Sequence, residues 1–256
     1  MKTLVAYCGR LGSGKNYQMM KQVDQLKDTG HTIYLVSFAD PIKKILCDSF
    51  GLTKAGKDPE FEITLLSRNF VKLQVVEPLI NLAFEINPFG NLGKISQEVT
   101  EIYNKHEDEF YAYVFGAIAG FDLERPSIGV DYNYAFRRLG QMLGTELGRA
   151  VKDTIWIDLA INRVKTVFES DLADYAFIAD CRFMNEYYAV NDFKYNTKYD
   201  SKVYGVQATD ETRSLRRKLS LEELKRQDQH GSEVEVDSII ALLPEDYVID
   251  NNSKGE

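Results

Sequence analysis

The apolar run Leu4 to Tyr7 leads directly into Gly9-Arg10-Leu11-Gly12-Ser13-Gly14-Lys15. A strand, a glycine-rich turn and then a lysine restrict the chain to few folds, because the turn has to join a buried strand to a helix. Glycines let backbone N–H groups approach an anion closely, and the following helix adds its positive end. The reading is a loop that holds a triphosphate, formed by Gly9, Arg10, Gly12, Ser13, Gly14, Lys15, Asn16 and Tyr17. The bland alternative is an ordinary glycine turn. Where a full phosphate-binding loop places Ser or Thr to ligate Mg²⁺, this chain has Asn16. The Asn16 amide oxygen can replace that hydroxyl as a neutral ligand, directly or through water, whereas Tyr17 is too bulky to do so.

The pattern after the loop predicts a helix from Lys15 to about Lys27, closed by Thr29-Gly30, and a second strand over His31 to Ser37. That spacing suits a parallel βαβ crossover. Asp40 reads as an N-cap with Pro41 at the first helical position, for a helix running to Phe50 and stopping at Gly51. From about 53 to 132 aromatic and charged residues interleave with patchy helical periodicity, broken at Asn87-Pro88-Phe89-Gly90 and Glu124-Arg125-Pro126. This is read as an inserted, mostly helical region. Helices are expected over Asn133 to Gly148, Thr154 to Glu169 and Met184 to Val190, and strands over Tyr175 to Ala179, Val203 to Gln207 and Tyr247 to Asp250. Alternating strands and helices predict an α/β fold, a doubly wound parallel sheet with a P-loop, a helical insertion and a charged lid segment at about 208–231. One domain over residues 1–256 is expected.

Composition narrows the chemistry. A chain of 256 residues that is 44% hydrophobic can bury one large core, and a net charge of −8 argues against a basic clamp for nucleic acid or anionic membrane. Cys8, Cys47 and Cys181 are odd in number and far apart, which reads as reduced packing thiols and a cytoplasmic chain. No leader and no membrane-spanning stretch is expected.

Three further groupings carry candidate chemistry. Arg138, Gln141 and Thr145 are spaced by three and four, which places a guanidinium, an amide and a hydroxyl on one helical face; a solvated helix face explains the spacing equally well. Asp180 ends a buried strand, at the sheet edge where α/β folds bind ligands, with Arg182 and Glu186 close in sequence. A strand-terminal Asp that caps the next turn is the common alternative. Arg213, Arg216 and Arg217 could fold over a polyphosphate as a lid or form a solvated charge run.

Taken together, the glycine loop, Phe38-Ala39-Asp40-Pro41-Ile42-Lys43, Arg137-Arg138-Leu139-Gly140-Gln141-Met142-Leu143-Gly144-Thr145, Trp156 with Asp180, Arg182 and Glu186, and His230-Gly231-Ser232-Glu233 resemble the bacteriophage deoxynucleoside monophosphate kinases. The motifs run in the family's order and leave much of 53–132 unmatched. The resemblance implies an adenylate-kinase-like core that moves the γ-phosphoryl of ATP, with Mg²⁺, to a deoxynucleoside monophosphate. Catalysis would rest on Lys15, Arg138, Asp180 and Arg182. Asp40, Lys43, Arg138, Gln141, Gly144, Thr145, Trp156, Asp180, Arg182 and Glu186 would bind the acceptor. A host cytoplasm is expected if the chain is phage-encoded, the net acidity argues against a nucleic acid polymer as partner, and a homodimer is one allowed assembly. The family has an acidic residue and then Thr after the loop lysine, where this chain has Asn16 and Tyr17. Two alternatives divide from the kinase reading: a nucleotide-binding protein that has lost transfer, and a kinase of a modified-base nucleotide or modified DNA.

Overall fold

The computed structural model describes residues 1–58, 66–120, 131–229 and 231–252. In chain order the strands and helices are β1 (Thr3–Cys8), α1 (Lys15–Asp28), β2 (Ile33–Val36), α2 (Asp40–Phe50), α3 (Arg68–Ile86), α4 (Leu92–Ala119), α5 (Tyr132–Gln141), a π-helical segment Met142–Arg149, and α6 (Ile155–Glu169). There follow β3 (Tyr175–Cys181), α7 (Met184–Asn191), the single turn α8 (Phe193–Asn196), β4 (Asp200–Gln207), α9 (Asp210–Arg217), α10 (Leu221–Asp228), the short α11 (Gly231–Val234) and α12 (Val236–Ala241), and β5 (Val248–Asp250). Among the described residues no helix is long and apolar enough to cross a membrane.

The fold is α/β, with one all-parallel sheet in the order β2-β3-β1-β4-β5. β1 is central and buried along its whole length, the pattern of a parallel strand covered on both faces. Val5, Tyr7, Phe177 and Val206 from the sheet pack with Met19 and Val23 of α1. Because all five strands run the same way, the segments after Cys8, Val36, Cys181, Gln207 and Asp250 emerge at one edge, where open α/β sheets take ligands.

The chain divides into two compact units, Met1–Phe38 with Ala160–Glu256, and Ala39–Leu159. The first contains the sheet. The second is helical, with Phe50, Tyr103 and Phe110 meeting edge-on or tilted in its interior. The mostly helical region expected across 53–132 forms, over 68–119, two long helices, α3 and α4, joined by the expected break at Asn87 to Gly90. Pro78 sits inside α3 without ending it. Glu124-Arg125-Pro126 lies outside the described residues. Asp40 is not an N-cap but the first residue of α2, and Ala39 precedes it with no side-chain bond.

Candidate functional site

The glycine loop follows β1 and ends on Lys15, the first residue of α1. Gly12 and Gly14 both have left-handed backbones, φ 84° and 90°, and both are crowded. A Cβ on Gly12 would lie 3.0 Å from the Arg217 side chain, and one on Gly14 would lie 2.2 Å from Asn251 Nδ2. The turn therefore requires glycine for conformation and for space. The Lys15 side chain is buried and donates from Nζ to the Gly9 carbonyl at 3.0 Å. Burial, and then the neighbouring Arg182 charge, bring its pKa down to about 8. Among the described residues Lys15 makes no ion pair, and the buried Ser13 Oγ has no hydrogen-bond partner. A desolvated ammonium and an orphaned hydroxyl in one loop are groups that an anion would satisfy. Asn16 and Tyr17 behave differently: both side chains are exposed.

The rim of the loop is held by long-range contacts. Arg10 forks onto Asp237 at 2.8 and 2.6 Å and reaches Asp228 at 2.8 Å, so its side chain braces the loop from outside. Asn251, just past β5, donates to the Ser13 carbonyl at 2.8 Å and accepts from Gln18 at 3.0 Å. The charged segment at 208–231 corrects the lid expectation for one residue. It forms α9 and α10, capped by Thr209 and Ser220, and Arg213 is only 1% exposed. Arg213 Nε donates to the Leu11 carbonyl at 2.9 Å, and its guanidinium pairs with Asp228 and Asp210. Arg216 donates to the Ser13 carbonyl at 3.2 Å and the Asn251 carbonyl at 2.8 Å. Arg217 is exposed, with its stem beside Gly12. Arg213 and Arg216 engage the loop's carbonyls, and Arg213 is a buried strut.

Asp180 ends β3 as expected and accepts from Ser37 Oγ at 2.5 Å and Phe38 N at 3.1 Å, which ties it to the end of β2. Its charge raises the affinity of Lys15 for its proton. Arg182 Nη1 donates to Glu233 Oε1 at 2.6 Å. Glu186 is buried and accepts from the Arg182 and Phe183 amides, closing the first turn of α7. That is the work of a helix cap, and its place in a ligand site is to fix the backbone carrying Arg182. His230 lies outside the described residues.

Beside the loop is a cavity of about 510 Å³ lined by Val206 and Ile240 together with Arg10, Thr209, Asp210, Asp237, Asp250 and Asn252. Asn252 ties its two walls by accepting from the Thr209 amide at 2.7 Å. Two apolar side chains among hydrogen-bonding ones suit a planar heterocycle and a sugar. Its three carboxylates do not suit more phosphate.

In the helical unit the expected face of Arg138, Gln141 and Thr145 is reorganised. Arg138 lies on α5 and the chain widens into a π-helix four residues later, so the three-and-four spacing no longer sets one row. The Arg138 guanidinium donates to Glu146 at 2.9 Å and to Glu109. Its charge is already balanced by two carboxylates. Gln141 is half-buried and Thr145 exposed. Trp156 is 2% exposed and donates from Nε1 to the Gly144 carbonyl at 2.8 Å. Its indole supports the π-helical segment and offers no open ring face. Asp40 and Lys43 pair with each other at 2.9 Å on the surface of α2.

Neither the protein-family models nor the curated proteins contain a match to this chain.

Asn251, Asn252, Asp228 and Asp237 are the site residues that pattern alone does not single out, and Glu233, part of the His230-Gly231-Ser232-Glu233 match, is the one that the resemblance quoted without a role. The signal was thin: Ser220-Leu221-Glu222-Glu223 is a capping box that would have turned part of the presumed lid into a helix, but no local pattern pairs Arg10 with Asp237. Among the described residues no group of three or more His, Cys, Asp or Glu side chains could hold a metal. Mg²⁺ keeps several waters and is commonly held by one or two carboxylates plus substrate phosphates. Asp180, in the field of Lys15, is one carboxylate of that kind, and the Asn16 side chain is exposed at the start of α1.

Proposed function

We propose that the protein transfers the γ-phosphoryl group of ATP to a deoxynucleoside 5′-monophosphate, the activity of the phage kinases its motifs resemble. The observation that carries the reading is the desolvated Lys15 in a glycine loop at the carboxyl end of the central strand. The loop amides and Lys15 would hold the donor phosphates, joined by Arg182, which its electrostatic reach to Lys15 moves here from the acceptor set, and the adjoining cavity would take adenine and ribose. Asp180 and Asn16 would hold Mg²⁺ brought in with ATP, and the ion would supply positive charge to the phosphates.

An acceptor phosphate oxygen, already anionic at neutral pH, attacks the γ-phosphorus. The bond from that phosphorus to the β–γ bridging oxygen breaks, and ADP leaves with the electron pair. No general base is needed. The chain contributes position and positive charge: Lys15 and Arg182 would serve the donor phosphates, and the resemblance assigns the acceptor to Arg138, Gln141, Gly144 and Thr145 and to Asp40 and Lys43 of α2. Trp156 would serve the acceptor by fixing Gly144. Arg216 and Arg217, at the loop's edge, are the remaining candidates to cover the phosphates.

Binding without transfer is a second reading, favoured by two particulars: Asn16 and Tyr17 are exposed where the family pattern has an acidic residue and Thr, and Arg138 is held by Glu109 and Glu146. A panel of deoxynucleoside monophosphates with Mg-ATP separates the two. The kinase reading expects a diphosphate from at least one monophosphate and loss of turnover in Lys15→Ala. If ATP binds, nothing is phosphorylated, and Asn16→Asp with Tyr17→Thr restores transfer, the binding-only reading stands.

A further inference from the structure

We infer that the Glu233 carboxylate is an internal stand-in for a nucleotide phosphate, seated against the glycine loop when no nucleotide is bound and displaced when one enters. The inference rests on the proposed donor role of that loop. Glu233 is 3% exposed, and each of its oxygens is engaged by a group assigned above to phosphate. Oε2 accepts the Leu11 backbone N–H at 2.8 Å, and Oε1 accepts Arg182 Nη1 at 2.6 Å. Lys15 lies within the field of the same carboxylate.

A buried carboxylate needs charge-assisted partners, and these are the ones it has. The Leu11 amide has one proton to give. A polyphosphate that takes this donor and Arg182 leaves Glu233 buried beside a second anion, with its partners gone. Repulsion between the two then favours expulsion of the carboxylate.

The chain around Glu233 suits an exchange of this kind. It lies on α11, a single turn that begins at Gly231. The next helix is anchored separately, through Asp237 to Arg10, and Glu235 between them accepts the Met184 amide. Withdrawal of Glu233 can therefore be confined to one short turn. The same movement releases the Arg182 Nη1 that Glu233 holds, so donor binding and assembly of the cationic site become one event.

Calorimetric titration of the full chain with Mg-ATP and with inorganic tripolyphosphate, in wild type, Glu233→Gln, Glu233→Ala and Lys15→Ala, tests the inference. Removing the competing anion should tighten both ligands about tenfold in the two Glu233 variants. Amide hydrogen exchange across 231–235 of the wild type should speed up when Mg-ATP binds. Equal or weaker binding in the Glu233 variants, or slower exchange in that segment, would overturn it and make Glu233 a fixed positioning residue for Arg182. If Glu233→Ala does not fold, the near-isosteric Gln variant and the wild-type exchange data still decide. Lys15-dependent binding that Glu233 does not oppose sinks this inference alone. No binding of either ligand by any variant sinks the donor-loop reading along with it.

Discussion

A lysine stripped of water holds its proton less tightly, and Lys15, brought down to about 8 by burial and then by Arg182, is such a group. A bound polyphosphate supplies the missing counter-charge and raises that value again. ATP binding near pH 8 should therefore take up about half a proton, and affinity should fall as pH rises further. Calorimetry in buffers of different ionisation enthalpy measures the uptake; release of protons, or none exchanged, would contradict the assigned role of Lys15. The same shift bears on folding. Between about 8 and the ordinary 10.5 the unfolded chain binds the extra proton, so through this group stability rises with pH in that window. Arg213 makes a different prediction. Its removal strands the buried Asp228 without its main partner, so Arg213→Ala should cost about 3–5 kcal/mol in urea unfolding, while the exposed Arg217→Ala should cost under about 0.5 kcal/mol. Equal effects would mean that Arg213 is no strut.

At the scale of elements, the π-helical segment after α5 depends on how closely Trp156 approaches Gly148. A Cβ on Gly148 would lie 2.1 Å from the indole Cζ2 and 2.9 Å from the Leu143 carbonyl. Gly148→Ala should lower stability by about 1–3 kcal/mol, read from thermal melting, because the ring is walled in and cannot step aside. Trp156→Phe keeps most of the packing but loses the bond to Gly144, for about 1 kcal/mol. If Gly148→Ala melts with the wild type, the indole is not packed as described. Elements whose signals are local were legible beforehand. β1 and α1 follow from an apolar run, a glycine turn and 3.6-residue periodicity, and Gly51 ends α2 in the left-handed conformation its position suggested. Elements that depend on partners were not legible. α3 buries Val71, Val75, Val76, Leu79 and Ala83 despite Pro78, and the widened turn at Met142–Arg149 has no sequence signature apart from the indole that braces it.

For the whole molecule, net charge is the property with the broadest reach. At −8 the chain has no general attraction for a polyanion, so duplex DNA should show no mobility shift at about 0.15 M salt, even with the protein in excess. Salt-sensitive DNA binding would instead revive the modified-DNA alternative. The sequence by itself determined the parallel α/β framework and the place of the glycine loop, because the hydrophobic period, turn residues and strand-to-glycine spacing are encoded within a few residues of each other. Asp180 at a strand's carboxyl end was legible for the same reason. Only tertiary structure decided which charges serve the loop. Arg10 meets Asp237, Arg213 meets Asp228, and Glu233 meets Leu11 and Arg182 across separations of 227, 15, 222 and 51 residues, respectively. It also divided the arginines of one charged segment into a buried strut at Arg213 and an exposed neighbour at Arg217. A charged residue in sequence carries no mark of whether it will face water or a buried carboxylate. That is settled by desolvation and pairing, which exist only once the strands have brought their edges together.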